Sequence, residues 1–148
     1  MYRQILIPTD GSELANKAVE AGTDYARESG AKVVFFTAVP EYQPPSEGEV
    51  MARRRIKSIS EYEQDSEAAA RAILDKAAVL AKNANIAFDT DFARCDRPSE
   101  AIIAAAKRHD CDAIFMASHG RKGLPALWYG SRTHEVLTHS DIPTLVYR

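Results

Sequence analysis

The segment Gln4-Ile5-Leu6-Ile7-Pro8 is a continuous apolar run of strand length, halted by Thr9-Asp10-Gly11. A run without polar alternation suits a parallel strand buried on both faces, and it limits the fold to architectures that cover a sheet twice. Similar runs return at Lys32-Val33-Val34-Phe35-Phe36-Thr37-Ala38-Val39, stopped by Pro40, at Ala113-Ile114-Phe115-Met116-Ala117, and at Ile142-Pro143-Thr144-Leu145-Val146-Tyr147. Phe88 to Ala93 differs. Phe88, Thr90 and Phe92 alternate with Asp89 and Asp91, which predicts a half-exposed strand at a sheet edge.

Amphipathic stretches separate these runs. Ser12 can cap a helix that carries Leu14, Ala18, Val19, Gly22 and Ala26 at helical spacing and closes at Gly30. Pro44-Pro45-Ser46-Glu47-Gly48 reads as a loop, and a long helix is expected from about Val50 to Asn83, with a break near Ser58-Ser60. Its apolar stripe is expected at Tyr62, Ala69, Ile73, Ala77 and Leu80. A third helix opens at Pro98-Ser99-Glu100 with Ile102, Ala105 and Ala106 inward, and a fourth follows Gly130 through His139. The alternation β-α-β-α-β-α-β-α-β implies right-handed crossovers and an open parallel sheet with helices on both faces. Ligands of such sheets bind beyond the carboxyl ends of the strands, where strand order reverses. The loops after the first and fourth strands, Thr9-Asp10-Gly11 and Ser118 to Gly123, are therefore the places where chemistry is expected.

Composition removes several classes of function. The 148 residues suit one domain spanning 1–148, with about two-thirds of the chain's surface buried on folding. Nineteen Lys and Arg against 21 Asp and Glu leave a formal charge of -2, so no strong field invites nucleic acid or an anionic membrane. Arg53-Arg54-Arg55 is the densest basic run and reads as a solvated helix face. No apolar stretch approaches the roughly 20 residues that span a bilayer. The N-terminus lacks a signal-peptide layout, and the expected home is the cytoplasm. Cys95 and Cys111 form no CxxC pair and are expected as unlinked thiols.

Several phosphate-binding devices are missing. The chain has no GxxxxGK[ST], no GxGxxG after the first strand and no GxSxG elbow. Asp10 lacks the acidic neighbour of a phosphorylated receiver, and Arg94-Cys95 follows the third strand. What remains is Ala117-Ser118-His119-Gly120, then nine residues, then Gly130-Ser131. This resembles the nucleotide loop of the universal stress protein family, written G-x2-G-x9-G-[ST], with Ala117 in place of the first glycine. The opening Ile5-Leu6-Ile7-Pro8-Thr9-Asp10-Gly11-Ser12, the second strand and Asp141-Ile142-Pro143-Thr144-Leu145-Val146 are similar to the family as well. The resemblance implies a Rossmann-like, adenine nucleotide alpha hydrolase-like sheet with strand order 3-2-1-4-5.

It further implies an ATP-binding stress-response module with slow or no hydrolysis, accepting ATP, or AMP or ADP, with Mg²⁺, and dimerising through its last strand. An apolar last strand would otherwise leave an open edge. Implied nucleotide contacts fall at Pro8, Thr9, Asp10, Ala38, Val39, Met116, Ala117, His119, Gly120, Arg121, Gly130, Ser131 and Arg132. No catalytic residue is evident. The chemistry asked of the loop is simple: amides at a helix N-terminus converge on phosphates, and Gly120 and Gly130 admit close approach. Asp10 would meet the ribose or a magnesium-bound phosphate, since a bare carboxylate repels phosphate.

Each of these residues has a plainer reading. Ser131 can be an N-cap after a glycine turn, Asp10 an Asx-turn residue, and Ala38 and Val39 core. Arg121, Lys122 and Arg132 can be solvated, and His119 can serve the loop alone. His109, His134 and His139 show no metal-ligand spacing. If the family's first glycine needs a left-handed backbone, Ala117 costs about 1–2 kcal/mol and points to a vestigial pocket in a protein-interaction module. If only a small side chain is needed, its methyl group fits. A weak ATPase is the remaining enzymatic alternative.

Overall fold

The computed structural model describes residues 1–52, 55–118 and 131–148, without the side chain of Ser131. Its elements are β1 (Gln4–Pro8), α1 (Glu13–Ser29), β2 (Lys32–Val39), α2 (Glu47–Met51), α3 (Ile59–Asn83), β3 (Phe88–Arg94), α4 (Pro98–Arg108), β4 (Ala113–Ala117), α5 (Ser131–His139) and β5 (Thr144–Tyr147). The five strands pair in parallel in the order β3-β2-β1-β4-β5, as expected. The chain walks outward from β1 to β3, then crosses back to add β4 and β5 on the other side. Strand order therefore reverses between β1 and β4.

Period-2 alternation along β1 and β2 explains the unbroken apolar runs. Ile5, Ile7, Val33 and Phe35 pack under Ala18, Val19 and Ala26 of α1 and Leu74, Ala77 and Ala81 of α3. Leu6, Val34 and Phe36 face the other way with Ile114 and Met116, against Ile102, Ala105 and Ala106 of α4 and Val136 of α5. Each fully buried Ile, Leu, Val or Phe among them contributes about 1.5–3 kcal/mol. Gly22 lets α1 lie close to the sheet, because a Cβ there would sit 2.6 Å from Ile7 Cδ1 and 3.2 Å from Phe115 Cδ1.

Ser12 caps α1 through its hydroxyl, which accepts from the Ala15 amide, and Gly30 closes the helix with φ 72°. The β3 edge behaves as its alternation predicts. Phe88 and Phe92 pack against the α1/α3 layer, Asp89 pairs with Lys32, and Asp91 meets Arg108 and His109 on the α4 side. Cys95 and Cys111 are unlinked.

Four expectations need correction. The break expected near Ser58-Ser60 is present, but the helix before it begins at Glu47, inside the stretch read as loop, and ends at Met51; each helix starts with a capping box, Ser46 with Glu49 and Ser58 with Glu61. Those reciprocal bonds satisfy the first-turn amides and outweigh the continuous polar pattern. The buried stripe of α3 runs Ala70, Leu74, Ala77, Ala78 and Ala81, so Ala69 points to solvent and Ile73 and Leu80 sit at its margin. Small alanines let this stripe approach the sheet. Arg55 lies between α2 and α3 rather than on a helix, exposed and paired with Glu61, while Arg53 and Arg54 lie outside the described residues. Finally, β5 begins at Thr144, because the Ser140 hydroxyl holds the Ile142 amide in a turn.

Candidate functional site

The carboxyl end of β1 is built by local hydrogen bonds. The Thr9 amide donates to the Phe36 carbonyl (2.8 Å), carrying the β1–β2 ladder one residue past Pro8. Thr9 is buried, and its hydroxyl oxygen accepts from the Gly11 amide (3.2 Å). Asp10 Oδ1 accepts from the Ser12 amide (2.9 Å), the geometry of an Asx-turn. Gly11 has φ 75°, a left-handed conformation that favours glycine. This turn starts α1 and leaves Asp10 lining the crevice between β1 and β4.

Alternation in a parallel ladder decides which main-chain groups face that crevice, since a residue turns its N–H and C=O to the same neighbour. The Val39 carbonyl accepts from the Cys95 amide (2.9 Å), so Val39 is turned toward the β3 side. Ala38, one residue earlier, turns its peptide groups toward β1. On β4, the Ile114 amide donates to Pro143 and the Ser118 amide to Tyr147, both at 2.8 Å on the β5 side. Ala117 is therefore turned toward β1 as well. It is strand residue, absent from the positions of positive φ, so the left-handed penalty does not arise and its methyl group forms part of the wall.

The resulting cleft spans about 510 Å³ with the solvent at its open mouth included. Of the sequence-nominated residues, Pro8, Thr9, Asp10, Ala38, Met116, Ala117 and Arg132 line it together. Val39 is buried but does not line it. His119, Gly120, Arg121 and Gly130 lie outside the described residues, as does the side chain of Ser131. Phe36, Pro98, Ile102 and Thr133 also line the cleft, though the sequence marked them only as core, helix start or nothing. Among the described lining residues, Asp10 is the one anion and Arg132 the one cation.

Residues at the starts of three helices line the cleft, Asp10 and Ala15 for α1, Pro98 for α4, and Arg132 and Thr133 for α5, so the positive ends of their dipoles lie at its wall. The N-cap of α4, Arg97, makes no side-chain capping bond. The Ser99 hydroxyl donates to Glu135, tying the first turn of α4 to α5. Burial pushes the Cys95 thiol up, and the Arg132 charge is one of the weaker influences opposing that. Such a site accepts a ligand with an apolar face, a hydroxyl for Asp10 and an anionic group for Arg132 and the helix ends. Among the described residues no cluster of three His, Cys, Asp or Glu could hold a metal, so a cation would have to arrive with the ligand's own oxygens.

Reversal of strand order, two-sided helical cover and an anion-facing crevice define a doubly wound α/β protein with a switch-point site. The profile of the universal stress protein family matches residues 1–148, and the chain belongs to that family. It is 26% identical over 151 residues to the universal stress protein in QAH/OAS sulfhydrylase 3′ region of Thermus aquaticus, covering all of both chains. In structure it is similar to universal stress protein UspA from Lactobacillus plantarum, with TM-score 0.79 and 22% identity over 99% of this chain and 98% of that one. It also resembles a universal stress protein solved in complex with cAMP, with TM-score 0.71 and 21% identity over 99% and 97% of the two chains.

Proposed function

We propose that this chain binds an adenine nucleotide, with ATP as the expected ligand, and acts as a nucleotide-dependent stress-response module in the cytoplasm. The observation that carries the reading is the cleft itself, lined by apolar Phe36, Ala38, Ile102 and Met116 together with Asp10 and Arg132. Related structures that hold cAMP, dAMP and AMP support it.

In this reading Phe36, Ala38, Ile102 and Met116 enclose the base, and the Ala38 peptide groups meet its edge. Asp10 accepts from a ribose hydroxyl. Main-chain amides of Gly120 and Gly130, with Ser131, His119 and Arg121 nearby, receive the phosphates beside Arg132. Mg²⁺ enters bound to phosphate oxygens, with Asp10 its nearest carboxylate, and it supplies charge neutralisation there. Turnover is slow or absent. Dimerisation pairs the exposed edge of β5 with that of a second copy.

Mass spectrometry of the purified protein tests the ligand directly: bound adenine nucleotide is expected. A protein free of nucleotide that takes none up from millimolar Mg·ATP would instead favour the vestigial, partner-binding reading, and steady-state phosphate release would favour the weak ATPase. Sedimentation velocity should show a dimer.

A further inference from the structure

Arg132 and Glu135 stand three residues apart on α5, a spacing at which a cation and a carboxylate meet on a helix surface. Glu135 is turned elsewhere. Its Oε2 accepts from the hydroxyl of Ser99, the second residue of α4, which is 5% exposed. The first turn of α4 is a favourable seat for a carboxylate. Pro98 brings no amide hydrogen, the N-cap Arg97 makes no side-chain capping bond, and the helix dipole turns its positive end there. Glu100, the acidic residue of that turn, pairs with Arg97. Among the described residues Arg132 makes no ion pair, and it lines the cleft. One buried hydroxyl on α4 therefore decides which partner the α5 carboxylate takes, and with it whether the cation of the cleft is already neutralised.

We infer that Ser99 is a positioning residue, which holds Glu135 away from Arg132 and so leaves the Arg132 charge to an anionic ligand of the cleft. The consequence for affinity rests on the nucleotide-binding reading; the diversion of Glu135 does not. Without the Ser99 hydroxyl, Glu135 loses its partner on α4, and the Arg132 guanidinium is within its reach along α5. A phosphate must then displace the carboxylate, and its apparent affinity falls with the fraction of Arg132 left unpaired. A ligand without phosphate is indifferent to that competition.

Ser99→Ala, Glu135→Gln and the double variant separate this from a simple loosening of the wall. Calorimetry with ATP is expected to show about three-fold weaker binding in Ser99→Ala and near-native affinity in the double variant, where no carboxylate competes. Adenosine affinity is expected to stay near native in all three. Unchanged ATP affinity in Ser99→Ala overturns the inference, and so does a loss that persists in the double variant or appears equally with adenosine. Should Ser99→Ala fail to fold, Ser99→Cys, with a much weaker donor, loosens the same bond. NMR of the Glu135 side-chain carboxyl tests the diversion without ligand: Arg132→Gln should move its resonance in the Ser99→Ala background and leave it in place in the native one. A response identical in the two backgrounds overturns the diversion. Should the native protein bind no ATP, the nucleotide reading fails alone, and that resonance still decides the rest.

Discussion

His109 Nε2 lies 2.8 Å from Asp91 Oδ2, joining the end of α4 to the edge strand β3. Arg108 donates to the same carboxylate. Burial alone would raise the Asp91 carboxyl, but hydrogen bonds from Arg108 and His109 outweigh it and hold the group below its ordinary range. A carboxyl held low in the folded state adds stability above its unfolded pKa and loses it as pH falls through the folded one. Asp91→Asn should therefore cost about 1 kcal/mol near neutral pH. The gap to the native protein should shrink as the pH falls below the unfolded carboxyl value of about 3.9 and on through the lowered folded one. Urea unfolding at neutral and acid pH measures it; a gap that is constant across them contradicts the assignment.

Gly22 faces Ile7, which is fully buried, and a Cβ there would sit 2.6 Å from Ile7 Cδ1. Gly22→Ala gains about 1 kcal/mol of helix propensity but loses about 1–3 kcal/mol to overpacking. Net destabilisation is expected. Ile7→Val removes the clashing Cδ1, so the double variant should recover the propensity gain that the single variant hides. A strictly additive cycle in equilibrium unfolding would show that the contact does not limit the site.

Burial pushes the Cys111 thiol up to about 11, despite the hydrogen bond from Gln4. At pH 8 roughly one thiol in a thousand is ionised. Alkylation of Cys111 by iodoacetamide should then proceed only through opening of the fold and accelerate with urea. Rapid labelling under native conditions, followed by mass spectrometry, would contradict this.

Arg132 is the described cation of the cleft wall. Its removal should weaken ATP more than AMP, because the longer phosphate chain carries more charge to a site short of counter-charge. Arg132→Ala is expected to lower ATP affinity about ten-fold and AMP affinity by less. Calorimetry with both ligands checks the order, and equal losses would place Arg132 away from the distal phosphates.

Much of this fold was legible in the residues because the strongest signals are local. Ile5-Leu6-Ile7 and Val33-Val34-Phe35-Phe36 have no polar face to expose, so helices must cover both sides of the sheet. The break before α3 was legible near Ser58-Ser60, whereas the start of α2 at Ser46-x-x-Glu49 was hidden in a stretch whose prolines and Gly48 read as loop. The site was legible only in part. Asp10 and Ala117 announce themselves by motif, whereas Val39 and Ala38 differ only through strand register, which no local pattern reveals. Thr133 carries no signal at all, since its partners, the carbonyls of Ser118 and Ala117, stand fifteen and sixteen residues away across a crossover.

Thermal unfolding of the native protein across a Mg·ATP titration tests the central claim most directly. Ligand at 100 times its dissociation constant adds about 2.7 kcal/mol, which for a chain of this size raises the midpoint by roughly 6–10 °C. A saturable rise of that order, reduced in Arg132→Ala, is the predicted result. A midpoint that stays level up to millimolar Mg·ATP, in protein shown to be free of nucleotide, would contradict it.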